Sequence, residues 1–395
     1  MKSVYFKYVV SFLVLLVWGV VTVGSENQEM KRIGQTPIPT FDISGDRSRQ
    51  VVIAQGTPEV YQGHPASVLL PDGKTIYAAW TIGHGGKNGP MAKSTDEGKS
   101  WTRIDDQLPE EYAATFFEVP CMYRLVNRQG EDFIWVFGAQ PRMPRMVSRD
   151  QGKSWEIQPA LDIPCVLSFN SVIPENPGVQ DGKYIGFYHH QISDDGIVQD
   201  REPLRKNFRL RVLMMKTEDA GFTWSDPEVV ADVPGLNFCE PCAIWSPDNK
   251  EICCLMRENA RTGRSYTTFS SDGGKTWSVP EKTAWEITGD RHVALYLPDG
   301  RIFIAMRDMA PDSVTHGHFI GWVGTYEDIR NRKPGDFRIK LLHSYADYVP
   351  DCGYPALSLL PNGDIFAITY IKNEPGPNQH SNVGIRFNVK EFDGR

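Results

Sequence analysis

Beyond residue 25 the sequence has no apolar run long enough to cross a membrane. It also lacks a basic excess: 42 Lys and Arg stand against 49 Asp and Glu, a formal net charge of −7. That balance argues against general affinity for nucleic acid or anionic membranes, while leaving room for a local basic pocket. A spaced cysteine framework is missing too. The seven cysteines are an odd number, so at least one has no disulfide partner within the chain. Cys239-x-x-Cys242 is accompanied by no second CxxC and no ligand-spaced histidine pair, so neither a metal nor another cofactor is expected. The thiols are expected to pack as small apolar groups inside strands. Long helical patterns are scarce. With 35 Gly, 28 Pro and frequent Trp, Tyr and Phe, the composition favours short strands and many turns.

What is present begins with an export signal. Lys2 and Lys7 precede an apolar stretch, Tyr8 to Val23, and the small residues Gly24 and Ser25 follow it. This layout predicts a signal peptide over residues 1–25 that is cleaved, hence a secreted or periplasmic protein with no stable membrane insertion. Residues 26–50 read as a polar lead-in, and 51–395 as a single domain. A hydrophobic content of 41% is ample for a core. The length is large for an ordinary domain but suits a closed all-β ring.

The pattern Ser/Thr-x-Asp-x-Gly-x-x-Trp occurs four times: "STDEGKSW" from Ser94, "SRDQGKSW" from Ser148, "TEDAGFTW" from Thr217 and "SSDGGKTW" from Ser270. Around these turns lie six segments that each read as strand, turn, strand. They start at Gly63, Val119, Ser168, Cys239, Asp290 and Gly353, and turns such as "PDG" and "PNG" interrupt their apolar runs. Each segment makes a small sheet that cannot bury both faces alone, whereas a ring of them can. The prediction is therefore an all-β, six-bladed β-propeller. In the repeated turn, Asp is suited to accept backbone N–H groups, Gly to a positive φ, and Trp to packing between sheets. The turn is structural on this reading.

The repeated turn is the Asp box. Four Asp boxes on six hairpin units resemble the sialidase (neuraminidase) superfamily of BNR-repeat propellers, over about Val51 to the C-terminus. Asp boxes also occur in propellers that are not sialidases. The resemblance implies a pocket on the axis, where inner strands begin and their partners end. It implies an arginine clamp for a substrate carboxylate, a tyrosine nucleophile activated by a glutamate, and an aspartate as acid/base. A phenol suits such a substrate because a carboxylate nucleophile would be repelled by the sugar's own carboxylate. Arginine suits the clamp because its planar fork meets a carboxylate with two parallel hydrogen bonds.

Carried over residue by residue, Tyr354 matches the nucleophile and Glu240 its activator. Arg257 matches the second clamp arginine, and Arg307, preferred to Arg291, the third. Glu374 matches the carboxylate that braces the first. His292, beside Arg291, joins the candidate substrate-binding residues, and Arg142 and Arg145 in "GAQPRMPRM" form a candidate second anion clamp. The adjacent His189 and His190 could meet sugar hydroxyls. As neighbours on a strand they point oppositely and cannot easily share a metal.

Two departures stand out. Where the family opens with Arg-Ile-Pro, this chain has Gly63-His64-Pro65. In "TIGHGGKNGPMAK", where the acid/base aspartate is expected, no carboxylate occurs. His64 or His84 is the candidate replacement, since histidine carries protons near neutral pH. The first expectation is thus an exo-acting glycoside hydrolase for a terminal acidic sugar on a glycan or acidic oligosaccharide. The alternatives are a propeller hydrolase or lyase acting on uronate- or deoxy-sugar-containing polysaccharide through His64, and a non-catalytic carbohydrate-binding propeller. The insertion Ser193 to Arg209 is expected to cover the pocket mouth.

Overall fold

In a computed structural model the description covers residues 31–32, 37–193, 196, 198–199, 208–347 and 349–394. The predicted signal peptide lies outside the described residues, as does most of the 193–209 insertion. Six antiparallel units follow one another along the chain, each with its first strand innermost. The inner strands are Ala66–Leu69, Cys121–Val126, Leu167–Pro174, Phe238–Trp245, Gly289–Tyr296 and Cys352–Leu359. Each packs against the inner strand of the next unit, and the sixth packs against the first, which closes a ring of six blades. All six come from the hairpin segments read in the sequence.

The second strands explain why those segments are so apolar. Ile76–Ala79, Ile302–Asp308 and Ile365–Ile371 are buried at every residue, because a blade's middle strands have neighbours on both faces. The core accordingly divides by interface. Val68, Tyr77, Met122 and Val136 join blades one and two, Ile185, Phe187, Cys254 and Met256 join three and four, and Ile76, Ala78, Phe366 and Ile368 join six and one. All seven cysteines are buried.

The Asp boxes occupy the turn between third and fourth strands in blades one to four. In the first, Asp96 Oδ1 accepts the Ser100 N–H at 2.9 Å and its Oδ2 accepts the Ser100 hydroxyl at 2.6 Å. Gly98 has φ +84, and a side chain there would strike the ring of Phe366 in blade six. Trp101 stacks on that same ring, with centroids 6.2 Å apart. The box therefore works as a wedge between neighbouring blades.

Closure uses the N-terminal segment. Gln50–Ala54 forms the outer strand of blade six, antiparallel to Ser381–Phe387. Thr40–Asp42, within the expected lead-in, runs parallel to Phe337–Leu342 at the outer edge of blade five. Part of that lead-in is thus built into the ring.

Candidate active site

Bulges in three inner strands, each setting two residues opposite one, create the site. The register breaks between Cys239 and Cys242, between Asp290 and Val293, and between Gly353 and Ala356. Inside each break one non-glycine residue takes a left-handed backbone: Glu240 at φ 51, Arg291 at φ 44 and Tyr354 at φ 51. Such conformations cost about 1–3 kcal/mol each, and bulges of this kind re-aim a side chain out of the ladder. Here the result is convergence on the axis.

Above the bulges lies a cavity of about 610 Å³. Tyr354, Glu240, Arg257, Arg307, His64, His84, His189 and Asp351 all line it. The Tyr354 hydroxyl donates a short hydrogen bond to Glu240 Oε1. Arg257 Nη1 donates to the same oxygen at 2.9 Å, and the Arg291 backbone N–H donates to Glu240 Oε2 at 2.9 Å. Burial works to raise the Glu240 carboxyl, but the Arg257 charge, the Tyr354 hydrogen bond and His189 together outweigh it and hold the group below the ordinary glutamate range. Burial, followed by the Glu240 charge, pushes the Tyr354 phenol up. The resting pair is therefore a neutral phenol donating to a carboxylate.

The arginines are less free than the sequence implies. Asp290, missed in the sequence, lies 3.0 Å from Arg257 Nε, 2.5 Å from Arg307 Nη2 and 2.7 Å from Arg261 Nη2. Burial opposes its charge, but Arg307 and Arg257 prevail and hold its carboxyl well below the aspartate range. The available signal was positional: Asp290 precedes Arg291 as Cys239 precedes Glu240 and Gly353 precedes Tyr354.

Two histidines meet at the rim with their ring centroids 4.6 Å apart. His64 is 2% exposed. Its Nδ1 accepts the Gly85 N–H at 3.3 Å, so Nε2 carries the proton, and that atom has no protein partner. Burial first, then the neighbouring His84, depresses the His64 imidazolium. His64 is thus a neutral donor and does not supply the charge of a missing arginine. His84 is 58% exposed at the side chain, and its Nδ1 lies 3.3 Å from Asp351 Oδ1.

Asp351 also accepts the Tyr61 hydroxyl at 2.8 Å and the Tyr370 hydroxyl at 2.8 Å. Burial would raise it, but the hydrogen bond to His84 and the His380 charge hold it below the usual range. Nothing in the local sequence marks Asp351, because its partners come from residues 61, 84, 370 and 380. His189 Nδ1 accepts the Glu240 N–H at 3.3 Å, and burial pushes this imidazole down to about 3.

Other expected residues lie elsewhere. Glu374 is exposed and does not line the cavity, and with His64 at the first clamp position there is no arginine for it to brace. Arg142 pairs with Asp162 on an outer loop. Arg145 donates to Pro159 O and Gly221 O and stacks over Trp135, so it ties blade two to the third Asp box rather than clamping an anion. His292 is buried, with Nε2 2.9 Å from Ile287 O, and Arg291 lies below the pocket with its guanidinium 5.1 Å from the Tyr354 ring centroid. His190 accepts from Arg211 Nε at 2.7 Å. Among the described residues no cluster of His, Cys, Asp and Glu is arranged to hold a metal, and no helix is long and apolar enough to cross a membrane.

Against known proteins, a BNR repeat-like domain matches residues 133–314. No curated protein matches the sequence. A Dyadobacter fermentans protein of unknown function superposes with TM-score 0.64 at 19% identity, covering 86% of this chain and 97% of its own. A Trypanosoma rangeli sialidase gives 0.51 at 14%, covering 87% of this chain and 59% of its own. A Hadza microbial sialidase gives 0.53 at 14%, covering 84% and 66%. The chain thus spans less than two thirds of the length of each of these two sialidases. At such identities the likeness is one of fold.

Proposed function

We propose that this chain, a BNR-repeat propeller with the sialidase-like fold, is an exo-acting glycoside hydrolase that releases a terminal acidic sugar from a glycan or acidic oligosaccharide. The observation that carries this reading is the buried hydrogen bond from the Tyr354 hydroxyl to Glu240, braced by Arg257 at the floor of an open polar cavity. A nucleophile and its base within hydrogen-bond reach are the minimum for covalent glycosyl transfer.

In the first step Tyr354 Oη bonds to the anomeric carbon and passes its proton to Glu240. The bond to the leaving oxygen breaks, and His84, oriented by Asp351, gives that oxygen a proton. Water then attacks the anomeric carbon, the bond to Tyr354 Oη breaks, and Glu240 returns the phenolic proton while His84 takes one from the water. Arg257 and Arg307 face the sugar carboxylate. His64 offers Nε2–H as a neutral donor in the place of the absent arginine. With its Nδ1 occupied by Gly85 N–H, His64 is poorly suited to act as the base of a lyase.

One observation favours a second substrate class. Asp290 already pairs with both clamp arginines, which weakens their pull on a carboxylate and suits a neutral or deoxy sugar. The deciding experiment offers the wild-type protein a fluorogenic sialoside beside uronic-acid and deoxy-sugar glycosides. For any sugar that is turned over, its glycosyl fluoride carrying a second fluorine on the carbon next to the anomeric one is then added, and the peptides are analysed by mass spectrometry. Sialoside turnover with label on Tyr354 is expected. Turnover of the other glycosides alone, with the same label, would retain the mechanism and change the substrate. No turnover and no label across the panel would refute the enzyme reading.

A further inference from the structure

Beneath the catalytic cavity the six inner strands enclose a second one, of about 350 Å³. Arg291 lines it. The residue is 5% exposed. Its Nη2 donates to Cys121 Sγ at 3.4 Å, while Nε and Nη1 have no hydrogen-bond partner. Among the described residues no carboxylate lies within ion-pair distance of this guanidinium. Other buried arginines differ: near the axis Arg257 and Arg307 pair with Asp290, and on the outer strand of blade five the fully buried Arg338 pairs with Asp308.

A guanidinium cannot shed its proton inside a protein, and a buried charge without a counter-charge is strongly unfavourable. The adjacent Glu240 does not answer the need. Glu240 meets Arg291 only through the backbone N–H and commits its carboxylate to Tyr354 and Arg257. Two further groups lining the cavity, Ser67 Oγ and Asn170 Nδ2, also lack partners. The space exceeds that of a single water many-fold, since one water needs only about 10–15 Å³ of room on the same measure. A cationic fork, two neutral donors and spare volume make an anion site.

We propose that the axial channel binds a small inorganic anion of the halide type, held by Arg291 Nε and Nη1. Such an ion neutralises the charge under the Tyr354 ring and fastens the inner strands of several blades around one point. It is independent of which sugar occupies the cavity above.

The probe is bromide. Crystals of the protein soaked in sodium bromide are expected to show an anomalous difference peak beside Arg291. In solution the melting temperature is expected to rise saturably with chloride or bromide, by about 3 °C at a hundredfold excess over Kd. Equal ionic strength supplied as a bulky organic anion should not reproduce the rise. Arg291→Met should lose both the peak and the rise, and should it fail to fold, the wild-type crystals still decide the matter. Ordered water alone in the channel, or a bromide peak with no anion-specific rise (an adventitious ion only), would overturn the proposal.

Discussion

Replacing Asp290 by Asn separates the electrostatics of the site from its shape. The substitution is isosteric and removes one buried negative charge that three arginines share. Breaking a buried ion pair from one side costs about 3–5 kcal/mol. The structure points to the lower end. Arg257 keeps Glu240 at 2.9 Å. Arg261 is 44% exposed at the side chain and can turn into solvent. Arg307 bears the loss, left with Pro350 O at 3.1 Å and Asp351 at 4.0 Å. An unfolding entropy near 2.1 cal/mol/K per residue gives roughly 0.7–0.8 kcal/mol/K for a chain of this size, so a loss of about 3 kcal/mol lowers the melting temperature by about 4 °C.

The effect has a pH signature. The folded carboxyl of Asp290 titrates below its unfolded value, so its stabilisation is complete above about pH 4 and fades as pH falls below that. The wild type and Asp290→Asn should therefore differ most near neutrality and converge in acid. The vacated arginines should also let a carboxylate-bearing sugar stabilise the variant more than it stabilises the wild type. Calorimetric scans from pH 3 to 8, with and without sialic acid, provide the assay. A melting temperature unchanged at pH 7, or a sialic acid shift no larger in the variant, would refute the reasoning.

Three more outcomes are expected. His84→Ala and Asp351→Asn should lose about 10²–10⁴-fold in kcat on glycosides with alkyl leaving groups and far less on aryl glycosides, which leave without protonation. Equal losses on both would assign the pair a structural role. Asp308→Asn, which deprives the fully buried Arg338 of its partner and also weakens contacts to Ser313 and Thr315, should cost about 3–5 kcal/mol in denaturant titrations while leaving KM unchanged. In the first Asp box, desolvation works to raise Asp96, but hydrogen bonds from Ser100, Ser94 and the Lys99 N–H together outweigh it and hold the carboxyl at about 2, below its unfolded value, so its contribution is lost as pH falls from about 4 to 2. Asp96→Asn should lower the melting temperature at pH 6 and flatten its decline in acid, with turnover unaffected.

The fold was legible because it is written six times. Alternating apolar hairpins and four Asp boxes report local needs: a strand buried on both faces, a turn that must accept N–H groups, a glycine that lies on a neighbour's ring. Tyr354, Glu240 and Arg257 were legible as positions within that repeat. Asp290 and Asp351 were not, because what distinguishes them is company drawn from distant parts of the chain. Arg145 shows the converse. Its sequence neighbourhood suggests an anion clamp, yet its guanidinium is used up by two backbone carbonyls and a tryptophan face. Charge in a sequence says nothing about whether that charge is already spent.

The pairing of Gln50 with Ile385 in the last blade makes synthesis order matter. A strand that leaves the ribosome early waits for one of the last. Joining points so far apart carries a loop-closure term of about 5 kcal/mol from the (3/2)RT ln n relation. Blades one to four can assemble while the chain is still being made, but the blade that locks the circle cannot. Until then Gln50–Ala54 presents an open strand edge to every other nascent copy. A circular permutant cut between two blades, with the natural ends joined, would turn that latch into an ordinary neighbour contact and should refold faster at equal stability.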